Sequence, residues 1–172
     1  MRLGIDVGTT RTRVAAALKG NYPLISFQAE AGDGVDWYPS LIAVQGDQLA
    51  FGLRAQAVQH EPGGGMLGSF KRLLSDSGPD TIWKLGEVER PAIEWLTGFL
   101  GALRHDLLRR SNLDVGRRER LEGMVGIPAN ANSNQRFLTL EAFRLAGFEV
   151  IGMLNEPSAA GIEYAHRYRS VD

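Results

Sequence analysis

The chain has 172 residues, of which 44% are hydrophobic and 23% charged, a composition that suits one domain or a large lobe with a buried core. Its formal net charge of -1 gives no reason to expect nucleic acid or an acidic membrane as a partner, and no apolar run approaches the roughly 20 residues that span a bilayer. The chain contains no cysteine, which excludes disulfides and thiol catalysis and is compatible with the cytoplasmic location that we expect.

The first part of the chain predicts short strands. Apolar runs at residues 2–6, 13–19 and 24–27 are separated by turns that contain glycine, which is typical of a meander at one edge of a sheet. Two further runs, at residues 41–44 and 49–51, flank a glycine-aspartate turn and predict a hairpin. The opening run is strand-like and has no h-region, so we expect no signal peptide.

The middle of the chain shows helical spacing. Residues 53–60 predict a short helix that ends at Pro62, and the three glycines that follow this proline indicate a hinge. Residues 69–74 form another short segment, apolar and basic. The clearest helix is expected from Pro91 to about Arg110, because its apolar residues recur at steps of three and four: Ile93, Leu96, Leu100, Leu103 and Leu107.

The last third of the chain alternates strands with helices. Strands are predicted at residues 121–127 and 148–154. Helices are predicted at residues 137–146 and 157–168, the first of them capped by Ser133 and stopped by Gly147. A strand-helix-strand order requires a parallel pair of strands.

This order of elements predicts an α/β fold that is interrupted by an insert. We expect residues 1–37 and 113–172 to form the core, a mixed sheet flanked by helices. Residues 38–112 would then form a smaller inserted α+β sub-domain of the same lobe.

Residues 6–10, at the turn after the first strand, form the motif that carries chemistry. Gly8 lets the backbone approach a ligand closely, and the N–H groups of a tight turn suit phosphate oxygens, as do the hydroxyls of Thr9 and Thr10. Asp6 suits the hydration shell of Mg²⁺, because a carboxylate does not bind phosphate directly. The alternative is a plain hairpin turn without a ligand, since a motif of this size recurs by chance.

Three later segments accompany this motif. They read FKRLL at residues 70–74, GIPA at residues 126–129 with Asn132, Gln135 and Arg136 after it, and NEPSAA at residues 155–160. With residues 6–10, their order and approximate spacing resemble the DnaK-type, seventy-kilodalton heat-shock chaperone family over essentially the whole chain. Sugar kinases of the same actin-like superfamily share only the first motif. The resemblance implies the first lobe of an actin-like, ribonuclease H-like ATPase domain.

The resemblance also implies a role for each matching residue. Lys71 would contact the terminal phosphate, Glu156 would orient or deprotonate the attacking water, and Thr9 would lie near the same phosphate. ATP or ADP with Mg²⁺ would be the cofactor, with Asp6 reaching the metal through water. The nucleotide-binding set is then Asp6, Gly8, Thr9, Thr10 and Arg11. Pro128 and Arg136 match residues that relay the nucleotide state to a substrate-binding domain.

Each of the later residues also has a plain structural interpretation. Lys71 would be solvated on an amphipathic helix, and Glu156 would stabilise a helix N-terminus. Pro128 would simply close a strand, and Arg136 would lie on an exposed helix face.

Several positions depart from the family's pattern. Arg11 adds a charge beside the phosphate loop where the family often has asparagine or tyrosine, and Ser133 stands where an aspartate is typical. Asn130 and Ala131 replace an aromatic pair, and the insert is shorter than usual. These differences indicate a divergent member of the family.

The resemblance predicts that the full-length protein couples ATP hydrolysis to the binding of unfolded polypeptides, with co-chaperones and the second lobe of its own chain as partners. The family's second phosphate loop and most of its adenosine pocket would follow residue 172. We therefore expect weak ATP binding and no useful turnover from residues 1–172 alone. The alternatives are a small-molecule, sugar-type kinase of the superfamily and a non-enzymatic actin-like scaffold. A β-rich peptide-binding segment after the second lobe would favour the chaperone.

Overall fold

The computed structural model describes residues 1–29, 32, 34–59 and 64–155, which form a mixed α/β structure. Its strands, numbered in chain order, are β1 (Arg2–Val7), β2 (Arg11–Ala16), β3 (Phe27–Gln28), β4 (Gly34–Val35), β5 (Tyr38–Pro39), β6 (Leu41–Gln45), β7 (Gln48–Phe51), β8 (Gly64–Gly68), β9 (Ile82–Leu85), β10 (Val88–Pro91), β11 (Glu122–Ile127) and β12 (Glu149–Asn155). Its helices are α1 (Leu53–Ala57), α2 (Phe70–Ser75), α3 (Ala92–Arg109) and α4 (Ser133–Leu145). The expected α/β class, a mixed sheet with helices, is confirmed.

The main sheet has five strands in the order β12-β11-β1-β2-β5. β1 runs antiparallel to β2 but parallel to β11, and β11 runs parallel to β12, so the predicted parallel pair around α4 is confirmed. Alternate residues of β1 are buried, because the side chains of a strand point to opposite faces. This buried face packs in one core with α3 and α4, and the carboxyl ends of β1, β11 and β12 meet at one edge.

A second sheet, in the order β7-β6-β8, is formed by the segment after β5. The predicted hairpin is confirmed as β6 and β7, with Gly46 at a positive φ in the turn. This sheet packs on α3 through Phe51, whose ring occupies the space that a side chain at Gly98 would fill.

Tyr38 ties the edge of the main sheet to α3. Its hydroxyl donates to Asp106 Oδ2 at 2.9 Å, and its ring packs against those of Phe27 and Phe99 at centroid distances of 5.2 and 5.8 Å. Burial, reinforced by the Asp106 carboxylate, raises the pKa of Tyr38 above its usual value, so the hydroxyl remains a donor. Gly52, at φ 58°, packs directly on the tyrosine ring, and no other residue type fits there.

Three sequence predictions about strands are corrected. The strand expected at residues 13–19 is β2, which ends earlier because Lys19 and Gly20 both take positive φ in a tight turn. In place of the strand expected at residues 24–27, the structure has an isolated β-bridge from Leu24 to Ala15 and the short β3. The neighbour of β2 at the edge of the main sheet is therefore β5. The hinge glycines Gly64 and Gly65 instead belong to β8, which pairs with β6.

Other elements differ in detail. The helix predicted at residues 53–60 is α1 and ends at Ala57, while His60, Pro62 and Gly63 lie outside the described residues. The hairpin of β9 and β10 was not anticipated, and Pro91 is its last residue. The helix predicted at residues 137–146 begins at Ser133, and Asn132 caps it in place of Ser133. The predicted helix 157–168 also lies outside the described residues.

No helix within the described ranges is both long and apolar enough to cross a membrane.

Two glycines of α3 offer a matched test of this packing. A Cβ at Gly98 would lie 2.6 Å from the Phe51 ring, whereas a Cβ at Gly101 would meet nothing within 4 Å. We expect Gly101→Ala to raise the free energy of unfolding by about 0.5–1 kcal/mol, because alanine is the better helix former. Gly98→Ala should lower it by about 1 kcal/mol, because overpacking displaces the ring. Urea unfolding measures both values, and equal effects would contradict the packing of Phe51 on α3.

Candidate functional site

The turn between β1 and β2 is held tightly. The Gly8 amide donates to the Asp6 carbonyl at 3.1 Å, and the Ser40 amide donates to the Thr10 carbonyl at 3.0 Å. A Cβ at Gly8 would overlap the carbonyl oxygen of Arg11. Because that oxygen belongs to the backbone and cannot move aside cheaply, only glycine fits this position.

Lys71 of α2 reaches this turn from a distant part of the chain. Its Nζ lies 3.8 Å from Asp6 Oδ1, at the carboxyl end of β1. Its side chain is only 14% exposed, whereas that of Asp6 is 55% exposed. The aliphatic stem lines a small apolar cavity with Val7, Phe99 and Phe143, so the charged end is directed to the turn. The alternative of a solvated lysine on an open helix face is therefore wrong.

An open groove of about 520 Å³ lies beside this ion pair. The residues that line it come from the β1–β2 turn, from α2 and from the segment after β11: Thr9, Lys71, Arg72, Ser75, Asp76, Pro128, Asn130, Asn132 and Gln135. Two of these side chains are cationic and most of the others are polar hydrogen-bonding groups. A groove with this lining can hold a phosphate group, because ammonium, guanidinium and hydroxyl groups all donate to phosphate oxygens.

Arg136 connects α4 to the end of β12. Its Nε donates to the Ala131 carbonyl at 3.0 Å, and its Nη2 lies 3.4 Å from Asn155 Oδ1. The residue is half-buried, so the alternative that Arg136 lies on an exposed helix face is wrong. Glu156 follows Asn155 directly and lies outside the described residues.

Arg11 is the first residue of β2, directly after the turn, and it is not among the residues that line the groove. Its guanidinium sits 4.7 Å from the centroid of the Trp37 ring, a cation–π contact. Trp37 is half-buried and restrains this arginine. No local pattern predicts this contact, because Arg11 and Trp37 lie far apart in the sequence.

The residues present suit a magnesium ion that keeps its waters. Among the described residues, no group of three or more histidine, aspartate or glutamate side chains could hold a metal ion directly. Asp6 supplies one partly exposed carboxylate at the turn. Magnesium commonly binds through one or two carboxylates, with water and substrate phosphates completing its shell. Asp6 fits that mode and does not provide a cage of direct ligands.

Comparison with known proteins gives one family and one group of relatives. The model of the family described as "Hsp70 protein" matches residues 115–169. A "Chaperone protein HscA homolog" of Colwellia psychrerythraea is 29% identical over 94% of this chain and 27% of its own length. The "Chaperone protein HscA" of Citrobacter koseri is 31% identical over 94% of this chain and 28% of its own length. The chain thus spans little more than a quarter of the length of these relatives.

The tightness of the turn can be tested with two glycines of the same region. Gly8→Ala places a Cβ on the Arg11 carbonyl, so we expect the free energy of unfolding to fall by about 1–3 kcal/mol as the turn distorts. Gly4→Ala is the control, because a Cβ at Gly4 meets nothing within 4 Å. Chemical denaturation of both variants measures the difference, and a Gly8→Ala protein as stable as Gly4→Ala would refute the close approach.

Proposed function

Because the chain belongs to the Hsp70 family, as a divergent member, we propose that it forms the first part of the ATP-binding domain of an Hsp70-type chaperone. In the full-length protein this domain hydrolyses ATP and couples hydrolysis to the binding of unfolded polypeptides. Its partners are polypeptide clients, co-chaperones and the second lobe of its own chain, and its location is the cytoplasm. The observation that carries the proposal is the 3.8 Å approach of Lys71 Nζ to Asp6, which joins two of the family's motifs at one point.

In this proposal the turn after β1 binds the phosphates of ATP or ADP. Thr9 and Thr10 supply backbone N–H groups and hydroxyls to phosphate oxygens, while Gly8, whose own N–H bonds to the Asp6 carbonyl, lets the backbone approach the ligand closely. The tight backbone around Gly8 supports this role, because donors that are already held in place need no reordering when the ligand binds. Thr9 lines the groove, and Thr10 is fixed through its carbonyl to Ser40.

Lys71 is the proposed catalytic cation. Negative charge spreads over the equatorial oxygens of a phosphoryl group during transfer, and an ammonium beside them lowers the free energy of the transition state. The buried stem supports this assignment, because a side chain that is only 14% exposed keeps its charged end in one region. Lys71 would then lie on the groove side of the terminal phosphate, and Asp6 would hold the ammonium until the nucleotide binds.

Asp6 is the proposed contact to Mg²⁺, through water. The ion, when bound, neutralises negative charge on the phosphates and so favours the attack of water. The side chain of Asp6 is half-exposed and comes from the strand that ends at the phosphate turn. An outer-shell role suits this half-exposed carboxylate.

Glu156 is proposed to orient the attacking water or to accept its proton. Asn155, the residue before it, is contacted by Arg136, and Pro128 lines the same groove as Lys71. These two positions support the proposal that Pro128 and Arg136 report the nucleotide state to a peptide-binding domain. Arg136 would sense a change at Glu156 through the backbone of Asn155.

Arg11 is proposed as a further charge on the phosphate loop, particular to this chain. Its cation–π contact with Trp37 is worth about 0.5–1 kcal/mol at an exposed site, enough to restrain a flexible arginine. The guanidinium would add to the positive potential that the phosphates meet.

The proposed fold is the first lobe of an actin-like, ribonuclease H-like domain. Four of the five strands of the main sheet lie in residues 1–37 and 113–172, the proposed core sub-domain. Residues 38–112 contain the second sheet and the β9–β10 hairpin, which supports an inserted sub-domain. The alternatives of a sugar-type kinase and of an actin-like scaffold have no comparable support, because the relatives reported above are chaperones.

The proposal predicts a specific loss of turnover. In the full-length protein, Lys71→Met should lower the kcat of ATP hydrolysis by about 10²–10³-fold, because it removes the cation while retaining the apolar stem. Lys84→Met is the control, since Lys84 pairs with Glu89 on an exposed hairpin. Steady-state turnover should also rise when unfolded peptide is added to the unsubstituted protein.

Two outcomes would contradict the proposal. Equal turnover in the Lys71→Met and Lys84→Met proteins would remove Lys71 from catalysis. Turnover that depends on an added sugar, and not on peptide, would favour the kinase.

A further inference from the structure

Helix α2, which carries Lys71, is too short to hold its own position. It comprises Phe70–Ser75, and Ser69 before it has a left-handed φ of 58° and makes no side-chain cap. A helix of six residues is unstable on its own, because the loss of backbone entropy in forming its first turn exceeds the stabilisation from its few hydrogen bonds. Its orientation is therefore set by its neighbours.

One side of α2 is anchored in the core and to the β9 strand. Phe70 and Leu74 are buried. Ser77 Oγ donates to the Leu73 carbonyl at 2.7 Å, and the Trp83 indole donates to the same Ser77 Oγ at 3.0 Å. These contacts fix the back of the helix and leave the groove side to be held by another group.

Asn132 supplies that group. Its Nδ2 donates to the Ser75 carbonyl at 2.8 Å, and its Oδ1 accepts from the Gln135 amide at 2.8 Å. The first bond satisfies a carbonyl at the end of α2, and the second satisfies an amide at the start of α4. An asparagine side chain carries a donor and an acceptor on one planar group, so a single residue joins the two helix ends.

The hydrogen bond from Asn132 to the Ser75 carbonyl lies one helical turn of α2 away from Lys71. The two residues are four positions apart, so they lie on the same face of α2. Both line the groove, as does Asn132. A shift of the end of α2 would therefore move the Lys71 ammonium relative to Asp6, while the buried Phe70 and Leu74 kept the helix attached.

We propose that Asn132 is a positioning residue, which holds Lys71 at the phosphate groove by bonding the end of α2 to the start of α4. The consequence for ATP hydrolysis rests on the proposed function, whereas the positioning of Lys71 does not. The role is distinct from helix capping, because an aspartate or a serine caps α4 equally well and only the amide reaches across to Ser75.

The test uses substitutions that keep the cap and remove the donor. Asn132→Asp retains the acceptor for Gln135 but cannot donate to the Ser75 carbonyl. Asn132→Ser also caps, adds no charge and is too short to span the distance. Asn130→Asp is the control, because it adds the same charge to the same groove without touching the bond to Ser75. All three are compared with the unsubstituted full-length protein, free of nucleotide.

Two measurements report on Lys71 without relying on activity. Amide hydrogen exchange in peptides that cover residues 70–76 should become faster by on the order of tenfold in both Asn132 variants, because one hydrogen bond is lost. The exchange rate of α4 should stay unchanged. Acetylation of Lys71 by an amine-reactive ester, referred to Lys84 in the same sample, should accelerate as well. The Asn130→Asp protein should show neither change. Unchanged exchange and acetylation in the Asn132 variants, or acceleration spread equally over α4 and the sheet, would overturn the proposal.

Turnover separates this proposal from the one on which it rests. If both are correct, the Asn132 variants lower kcat with little change in KM, because the lysine acts on the transition state. If Lys71→Met leaves turnover intact while the Asn132 variants still loosen α2, the positioning role stands and the proposed function fails. If Lys71→Met abolishes turnover and the Asn132 variants leave α2 unchanged, only the positioning role fails.

Discussion

The candidate site depends on the parallel pairing of β1, β11 and β12. In that register Asp6 pairs with Gly126, and Gly126 pairs with Leu154, so the three strands end at nearly the same level. Parallel strands bring side chains that are far apart in sequence to one edge of a sheet, where ligands of open α/β sheets commonly bind. The turn at Gly8, Pro128 after β11 and Asn155 at the end of β12 therefore emerge together at one edge of the sheet.

The remaining element of the groove is α2, which is held there by the burial of its apolar side chains. Phe70 packs edge-on against Phe99 of α3 with ring centroids 4.8 Å apart, and this contact brings Lys71 to the end of β1. Large buried aromatic contacts stabilise such docking far more than an exposed ion pair does. The 3.8 Å approach of Lys71 to Asp6 is thus a consequence of core packing, and the charge pair adds little to the stability of the fold.

The sequence predicted the regular elements whose signal is local. A short apolar run closed by a glycine turn marked β1, periodicity marked α3, and the strand-helix-strand order predicted the parallel pairing of β11 with β12. The sequence did not predict β8, because a run of glycines indicates a flexible segment unless a partner strand is known. The sequence also predicted Ser133 as the cap of α4 in place of Asn132, because neighbouring asparagine and serine residues are about equally good caps. The contacts of Tyr38 with Asp106 and of Asn132 with Ser75 join residues more than 50 positions apart, which no local pattern reveals.

The central claim is that the turn after β1 and Lys71 face one and the same phosphate group. The most direct measurement is an experimental structure of the full-length protein with a non-hydrolysable ATP analogue and Mg²⁺. The account predicts a terminal phosphate within hydrogen-bond distance of both the Thr9 segment and Lys71 Nζ, with the Asp6 carboxylate reaching the ion through water. A nucleotide bound elsewhere, or one whose phosphates contact the turn while Lys71 stays paired with Asp6 and apart from them, would contradict it.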